Sequence, residues 1–474
     1  MSDSKSNRQQ LACNYIREHY VARNRIRFDV ITQKVQIRDA VYLSLENGNY
    51  PKDATDSQQQ GKYENWRYIT NADINTMVCD ACTETDANIT SKEILTVLNA
   101  GATYIPHIHP LREYIHNLSD YIPEKEPDWI DLVAKQVRVV DSNAIDRREA
   151  AEDGRSAMPV DRPAGCSITR ESTASSASDL NSADRFWRMC FKKWFVAMVA
   201  SWIKDEVVNH QVLVLIGKQG IYKTTWLERL IPQHLRDYCC KLANATQLSK
   251  DDRLRIAEFG LINLDELDAL TPRELNAMKS VITASDVNER VAYGYTKERR
   301  VRLASFCASS NKREFLTDIT GNRRWLPFEV ETIQNPFDTI ILYDRLYAQA
   351  RYLVQYGFNY WFDLDDINRI EEHNDAFRAQ ESEEQLLPIL FDVPAEGFGE
   401  FMTTAQISER LVSYGNIKKP IAVSHLGMLL SKSGYKSVTR GSRNARVRGW
   451  IVYQRDSSEI EANRKLYAKE CVTV

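Results

Sequence analysis

No apolar run in this 474-residue chain approaches the roughly 20 residues needed to cross a bilayer. The opening residues, MSDSKSNRQQ, are polar and lack the apolar core of a secretory signal. Both absences predict a protein that stays in the cytosol. A disulfide framework is also missing. The nine cysteines, Cys13, Cys79, Cys82, Cys166, Cys190, Cys239, Cys240, Cys307 and Cys471, are odd in number and irregularly spaced, which predicts reduced thiols. Cys79-Asp-Ala-Cys82 has no second pair to complete a structural zinc site. His107, His109 and His116 lie around Pro106 and Pro110 and read as incidental residues of an irregular connector. A global excess of one charge is lacking too, because the net charge is −3. A nucleic-acid role would therefore need a local basic patch. The N-terminal stretch has no clustered acids of the kind a polymerase or primase would need.

What is present is ordinary in bulk. Hydrophobic residues make up 43% and charged residues 27%, as in a soluble globular protein, and the length suggests about three domains. Residues 1–140 read as a small α/β module. Within it, Gln9–Tyr20 has helical spacing, and Ile26–Ile37 alternates like two strands around Thr32-Gln33. Thr70–Asp73 reads as a cap for a helix at Ile74–Cys82, and Ser91 as the cap of a helix at Ser91–Ala100. Residues 141–184 are rich in Ser, Ala, Asp and Arg with few bulky apolar side chains, which predicts a flexible linker or insertion. Phe186–Trp202 is an aromatic-rich helix whose stripe reads as core.

The chain is organised around Val212–Leu227, VLVLIGKQGIYKTTWL. Val212–Ile216 reads as a buried strand, Gly217–Thr225 as a glycine-bearing loop, and the residues after it as a helix. Strand, loop, Lys-Thr and helix is the layout of a phosphate-binding loop. Backbone N–H groups of Gly217, Gln219, Gly220, Ile221, Tyr222, Lys223, Thr224 and Thr225 would cradle polyphosphate. Lys223 would reach the outer phosphates, and the Thr224 hydroxyl would hold Mg²⁺. The usual pattern has glycine before the lysine, where this chain has Tyr222. That tyrosine must either tolerate the backbone angles of the loop or reshape it.

Downstream, the strand Leu261–Leu264 ends in Asp265-Glu266. The first acid suits Mg²⁺, and the second suits general-base work on an attacking water. An N-capping acid is the plainer alternative. Val301–Cys307 reads as a further strand, after which Asn311 is placed to orient that water. Arg323 and Arg324, before the strand Leu326–Val330, suit an arginine finger that reaches a neighbouring subunit; a surface ion pair is the competing account. Between them, Val291–Tyr295 and Arg299–Ser305 are expected to pair as strands. They would form a basic hairpin in which Tyr293, Lys297, Arg299 and Arg300 grip nucleic acid, or else a solvated turn.

Taken together, GKQGIYKTTW, LINLDELD, VAYGYTKERR, ASSN and TGNRRWLP resemble the virulence-associated E family, ATPase proteins of phages and mobile elements related to superfamily 3 helicases. The resemblance implies an AAA+ core over residues 185–335. It also implies ATP at Gly217, Gly220, Lys223 and Thr224, Mg²⁺ at Thr224 and Asp265, and catalysis by Glu266 and Asn311. It further implies a hexameric ring in which Arg323 or Arg324 acts in trans and the hairpin faces a pore carrying single-stranded DNA. Tyr222 departs from the family pattern.

Residues 336–400 read as a helical lid or connector. Residues 401–474 read as helix, helix and a two-stranded wing, a winged helix-turn-helix. The helices fall at Thr403–Leu411 and Ala422–Ser433, and the strands at Gly434–Val438 and Gly449–Tyr453. Between residues 401 and 455 there are ten Lys or Arg against the single acid Glu409. That excess suits the phosphate backbone of duplex DNA. Ser424, His425, Lys432, Lys436, Arg440, Arg443, Arg446 and Arg448 are the contact candidates, and a protein-binding module is the alternative. The function expected is an ATP-driven helicase or translocase of a mobile element. Two alternatives stand beside it: a slowly hydrolysing nucleotide switch or scaffold in phage defence, and a transcription regulator acting through the winged helix.

Overall fold

The structure, a computed structural model, describes residues 2–38, 66–100, 104–140, 182–242, 250–289, 297–316, 322–378, 382–394, 399–415, 423–441 and 446–470. Most of the expected linker, the hairpin tip with Tyr293, and Arg443 lie outside these residues. The chain is mixed α/β with several sheets and divides into two compact units, one ending at Phe377 and the other holding Arg378–Val474 with Leu316–Ile319. Among the described residues no helix is long and apolar enough to cross a membrane.

The first unit begins with a small sheet. β1 (Ile26–Asp29) and β2 (Lys34–Arg38) pair antiparallel around Gln33, which turns with φ 59°. β3 (Trp66–Tyr68) joins β2, and β4 (His107–Ile108) runs parallel to β1. The helices Ser2–Ile16, Asn71–Thr85 and Ser91–Asn99 share a core with this sheet through Tyr15, Ile16, Met77, Ile94 and Leu98. Thr70 caps the second helix as expected. The third is capped by Thr90 rather than Ser91, with Glu93 closing the box through the Thr90 N–H at 3.0 Å.

His109 is not incidental. Its Nδ1 accepts the Arg112 N–H at 3.2 Å and caps Pro110–His116. Burial pushes its imidazole down to about 4, and burial does the same to His234. Both are neutral in the fold, whereas the unfolded chain takes up protons below about 6.5. Stability contributed by each is thus present above that pH and lost as pH falls toward 4. The melting temperature of the first unit is expected to drop across that window, each histidine contributing up to about 1.4 kcal/mol per pH unit. In a thermal melt series, His109→Asn, which retains a capping side chain, should flatten the slope.

The second sheet of this unit carries β5 (Val137–Val139), β6 (Val212–Ile216), β7 (Cys239–Leu242), β8 (Leu261–Leu264), β11 (Ser305–Ser310) and β12 (Trp325–Ile333). A separate hairpin of β9 (Asp286–Glu289) and β10 (Glu298–Val301) precedes β11. The six strands lie in the order β5-β12-β6-β11-β8-β7. β12 through β7 run parallel and β5 is an antiparallel edge. The helix Ser182–Ile203 is buried almost all round. Its indoles still find acceptors: Trp187 donates to the Ala134 carbonyl, Trp194 to that of Phe306 and Trp202 to that of Gly260, at 3.0–3.1 Å. A Cβ on Gly260 would stand 2.9 Å from the Trp202 ring, so only glycine admits this approach.

Two expected boundaries shift. Leu111 to Val139 pack into the larger core, and β5 pairs with β12, so residue 140 is no domain edge. The lid helix Tyr343–Gln355 also packs there, through Leu346, Tyr347, Ala350 and Val354. The second unit starts at Arg378 rather than 401.

That unit is built on β16 (Val447–Gln454), which pairs antiparallel with β13 (Phe391–Asp392), β14 (Glu400–Met402) and β15 (Lys436–Arg440). The helices Ser382–Leu390, Thr404–Gly415 and Val423–Lys432 enclose Leu387, Ile407, Leu411, Leu426, Leu430, Trp450 and Val452. Thr403 and Gln406 form the cap of the second helix, Gln406 donating its N–H to the Thr403 Oγ at 3.2 Å.

Candidate functional site

All five residues of β6 are buried between β11 and β12. The chain leaving Ile216 therefore emerges at the C-terminal edge of the parallel strands, where open α/β sheets bind ligands. Gly217 donates its N–H to the Ser310 carbonyl at 3.1 Å. A Cβ there would meet the Ile221 side chain at 2.9 Å and the Val330 carbonyl at 3.0 Å. Gly220 has φ 86°. Tyr222 has φ 68° and ψ 16° and sits at the N-cap of the helix Lys223–Glu228. The tyrosine thus adopts the left-handed angles at which glycine is easiest, at a cost of about 1–2 kcal/mol.

The loop closes on Lys223. Its side chain is buried, and Nζ donates to the Gly217 carbonyl at 2.6 Å, the Lys218 carbonyl at 2.7 Å and Asn311 Oδ1 at 3.1 Å. Three donors meet three acceptors. Burial lowers the ammonium from its ordinary pKa, and Asp268 and Asp265 oppose that. Asn311 is fixed from behind by its own N–H, which donates to Asp268 Oδ1 at 3.4 Å.

The parallel register of β7, β8 and β11 brings a second cluster to the same edge. Asp265 Oδ1 accepts the Thr224 hydroxyl at 2.8 Å and the Ser309 hydroxyl at 2.6 Å, and Oδ2 accepts the Lys241 ammonium at 2.6 Å. Burial alone would raise this carboxyl, but hydrogen bonds from Lys241, Ser309 and Thr224 outweigh it and hold the pKa below the ordinary value. The Thr224 hydroxyl and the Asp265 carboxylate are hard oxygen ligands of the kind Mg²⁺ takes, and the Lys241 ammonium would have to yield Asp265 Oδ2 to it. Glu266 is the next residue, exposed and left-handed at φ 55°. Backbone strain of this kind at Tyr222 and Glu266 concentrates at working sites.

Arg323 and Arg324 lie elsewhere. They precede Trp325, which pairs with Val212 at the opposite end of β6, about 16 Å of strand away from the loop. Neither serves the loop of its own chain. They line a cavity of about 350 Å³ with His210, Gln211, Thr283 and Trp361. Burial and the charges of Arg302, Arg324 and Arg323 push His210 down. Asn374 holds the turn by donating to the carbonyls of Asn322 and Trp325 at 2.8 and 3.0 Å.

The basic hairpin differs from expectation. β10 pairs with Asp286–Glu289, and the expected partner Val291–Tyr295 lies outside the described residues. Lys297 is exposed, and Arg299 is exposed but ion-paired with Asp286 at 2.6 Å. Arg300 is 9% exposed and binds Glu258 at 2.9 Å and the Ile31 carbonyl, so its role here is architectural. In the second unit Lys432, Lys436, Arg440, Arg446 and Arg448 are all exposed. The register sets Lys436 and Arg440 on one face of the β15–β16 pair and Arg448, across from Thr439, on the other. Arg440 lies over the Phe401 ring at 4.9 Å.

Lys241, Ser309 and Asp268 were missed in the sequence. Ser309 stands two residues before Asn311, and nothing in the sequence distinguishes it from the neighbouring Ser310. Lys241 sits on a short strand with no strong apolar signal.

Residues 169–379 match the model of the virulence-associated protein E-like domain. No curated protein matches the sequence. Among solved structures, the apo structure of the NrS-1 C-terminal region (305–718) is 10% identical with a TM-score of 0.38, covering 90% of this chain and 96% of that one. An A form of the same region gives 10% identity over the same shares with a TM-score of 0.37.

Proposed function

From a chain whose residues 169–379 match the model of the virulence-associated protein E-like domain, we propose a nucleoside-triphosphate-hydrolysing motor that acts on DNA. It would serve replication or mobilisation of a mobile element. The core is of AAA+ type, ATP and Mg²⁺ are the cofactors, and the C-terminal unit is a winged helix that holds duplex DNA. The observation that carries this is the meeting of Lys223, Thr224, Asp265 and Asn311 at one edge of the sheet. A glycine-bearing loop and a helix N-terminus lie among them.

The residues divide the work. The Lys223 ammonium exchanges the carbonyls of Gly217 and Lys218 for outer phosphate oxygens. Thr224 and Asp265 hold Mg²⁺, which supplies charge neutralisation at those phosphates. The Glu266 carboxylate takes a proton from the attacking water, and the Asn311 amide orients that water. Arg323 and Arg324 lie far from their own loop, which supports action in trans across a ring contact. Lys297 and Arg299 sit at the base of a hairpin that would face the pore.

The test is complementation. Turnover should rise several-fold with single-stranded DNA, and Lys223→Met and Arg323→Ala/Arg324→Ala proteins should each be inactive. Mixing the two inactive proteins should restore a fraction of the turnover, because some interfaces regain both halves. No recovery, or monomers in every condition by light scattering, would remove the trans-acting motor.

A further inference from the structure

Tyr222 and Phe337 form an aromatic pair at the mouth of the phosphate loop that the chemistry above does not use. Their ring centroids are 6.4 Å apart and nearly perpendicular, at 81°. Tyr222 is 40% exposed and Phe337 80% exposed. Water is a poor setting for a large apolar ring. Tyr222 moreover holds a backbone angle that a tyrosine resists. A strained tyrosine and an exposed phenylalanine facing each other call for an occupant.

Their place relative to the loop is fixed. Phe337 lies in a turn in which its N–H donates to Asn335 Oδ1 at 3.1 Å and the Asn335 amide donates to Asp338 at 2.7 Å. Arg229, at the end of the loop's own helix, ties that turn down by donating to the Thr339 carbonyl at 2.7 Å. The Tyr343 hydroxyl holds the Arg229 carbonyl at 2.7 Å. The turn and the loop are thus braced on one helix.

Strand order decides what the pair faces. Asn311 follows β11 and Asp265 follows β8, both on one side of β6. Lys223, Asp265 and Asn311 would draw the outer phosphates to that side. The turn bearing Phe337 follows β12, on the other side of β6. A triphosphate bound with its terminal group at Lys223 runs along the loop and carries its nucleoside toward β12.

Resting on the nucleotide reading above, we infer that Phe337 and Tyr222 receive the base of the bound nucleoside triphosphate. The base stacks on the Phe337 ring, and Tyr222 closes one side. Every base has a π-face, so stacking tolerates different bases. The site therefore takes nucleoside triphosphates with little preference between adenine and guanine. In this account Tyr222 stands in place of glycine because its ring completes the base site.

The experiment compares affinities of the full-length protein for Mg-ATP, Mg-GTP and Mg-tripolyphosphate, the last having phosphates but no base, by calorimetry. The wild type should bind ATP and GTP within a few-fold of each other and both more tightly than tripolyphosphate. Phe337→Ala should weaken both nucleotides about ten-fold and leave tripolyphosphate unchanged, and Phe337→Trp should restore them. Tyr222→Gly should lose part of the preference for nucleotide over tripolyphosphate, and Tyr222→Phe should keep it. Nucleotide binding unaffected by Phe337→Ala overturns this inference and leaves the phosphate site standing. A wild type that binds none of the three overturns the nucleotide reading and this inference with it. Phe337 is a surface residue, so its variants should fold, which their melting curves will check.

Discussion

Methionine at position 223 is expected to lower nucleotide turnover by about 10²–10³-fold, the scale of losing one charged contact to a reacting centre. The side chain is buried and its three hydrogen bonds all go to the loop or to Asn311. Methionine keeps the length and volume but gives the Gly217 and Lys218 carbonyls no donor. Some loss of stability therefore accompanies the loss of turnover, on the order of 1–3 kcal/mol. Burial already depresses the pKa of the ammonium, so removing the charge also removes a desolvation cost, which favours the low end. Steady-state turnover beside a denaturant titration separates the two effects. A variant with normal turnover would show that phosphate chemistry does not occur at this loop.

The second large effect is at Asp265. Asp265→Asn should abolish divalent-dependent turnover by a comparable 10²–10³-fold, because its carboxylate is the shared anionic acceptor for Thr224, Ser309 and Lys241. Replacing Lys241 should act in the opposite direction on the metal. Its ammonium lies 2.6 Å from Asp265 Oδ2 and competes with an incoming cation for that oxygen. Lys241→Met is expected to tighten Mn²⁺ binding about five-fold, since a half-exposed ion pair is worth about 1 kcal/mol. Electron paramagnetic resonance of free Mn²⁺ during titration reads this without any turnover. Equal Mn²⁺ affinity in wild type and Lys241→Met would show that the ammonium does not guard the site.

The loop was legible because its signal is local. Five apolar residues, two glycines and Lys-Thr are contiguous, so strand, turn and helix follow from neighbours alone. The same holds for the caps at Thr70 and Thr403, where a threonine and an acid or amide three residues on complete the box. The partners of Asp265 were not legible. Lys241 and Ser309 reach it through strand register, which brings together β7, β8 and β11 across long intervals of chain. β5 was missed for a related reason: its partner β12 lies far along the sequence, and three residues carry little pattern of their own.

One contact ties distant parts of the first unit. Arg300, on β10, grips Glu258 and the carbonyl of Ile31. Two residues earlier in the chain, Asp29 is fully buried and accepts the Tyr238 hydroxyl at 2.8 Å. The base of the hairpin is therefore geared to the N-terminal sheet, and that sheet is bolted to the segment entering β7, where Lys241 stands. Any displacement at the base of the hairpin would be transmitted both to the N-terminal sheet and to the segment entering β7.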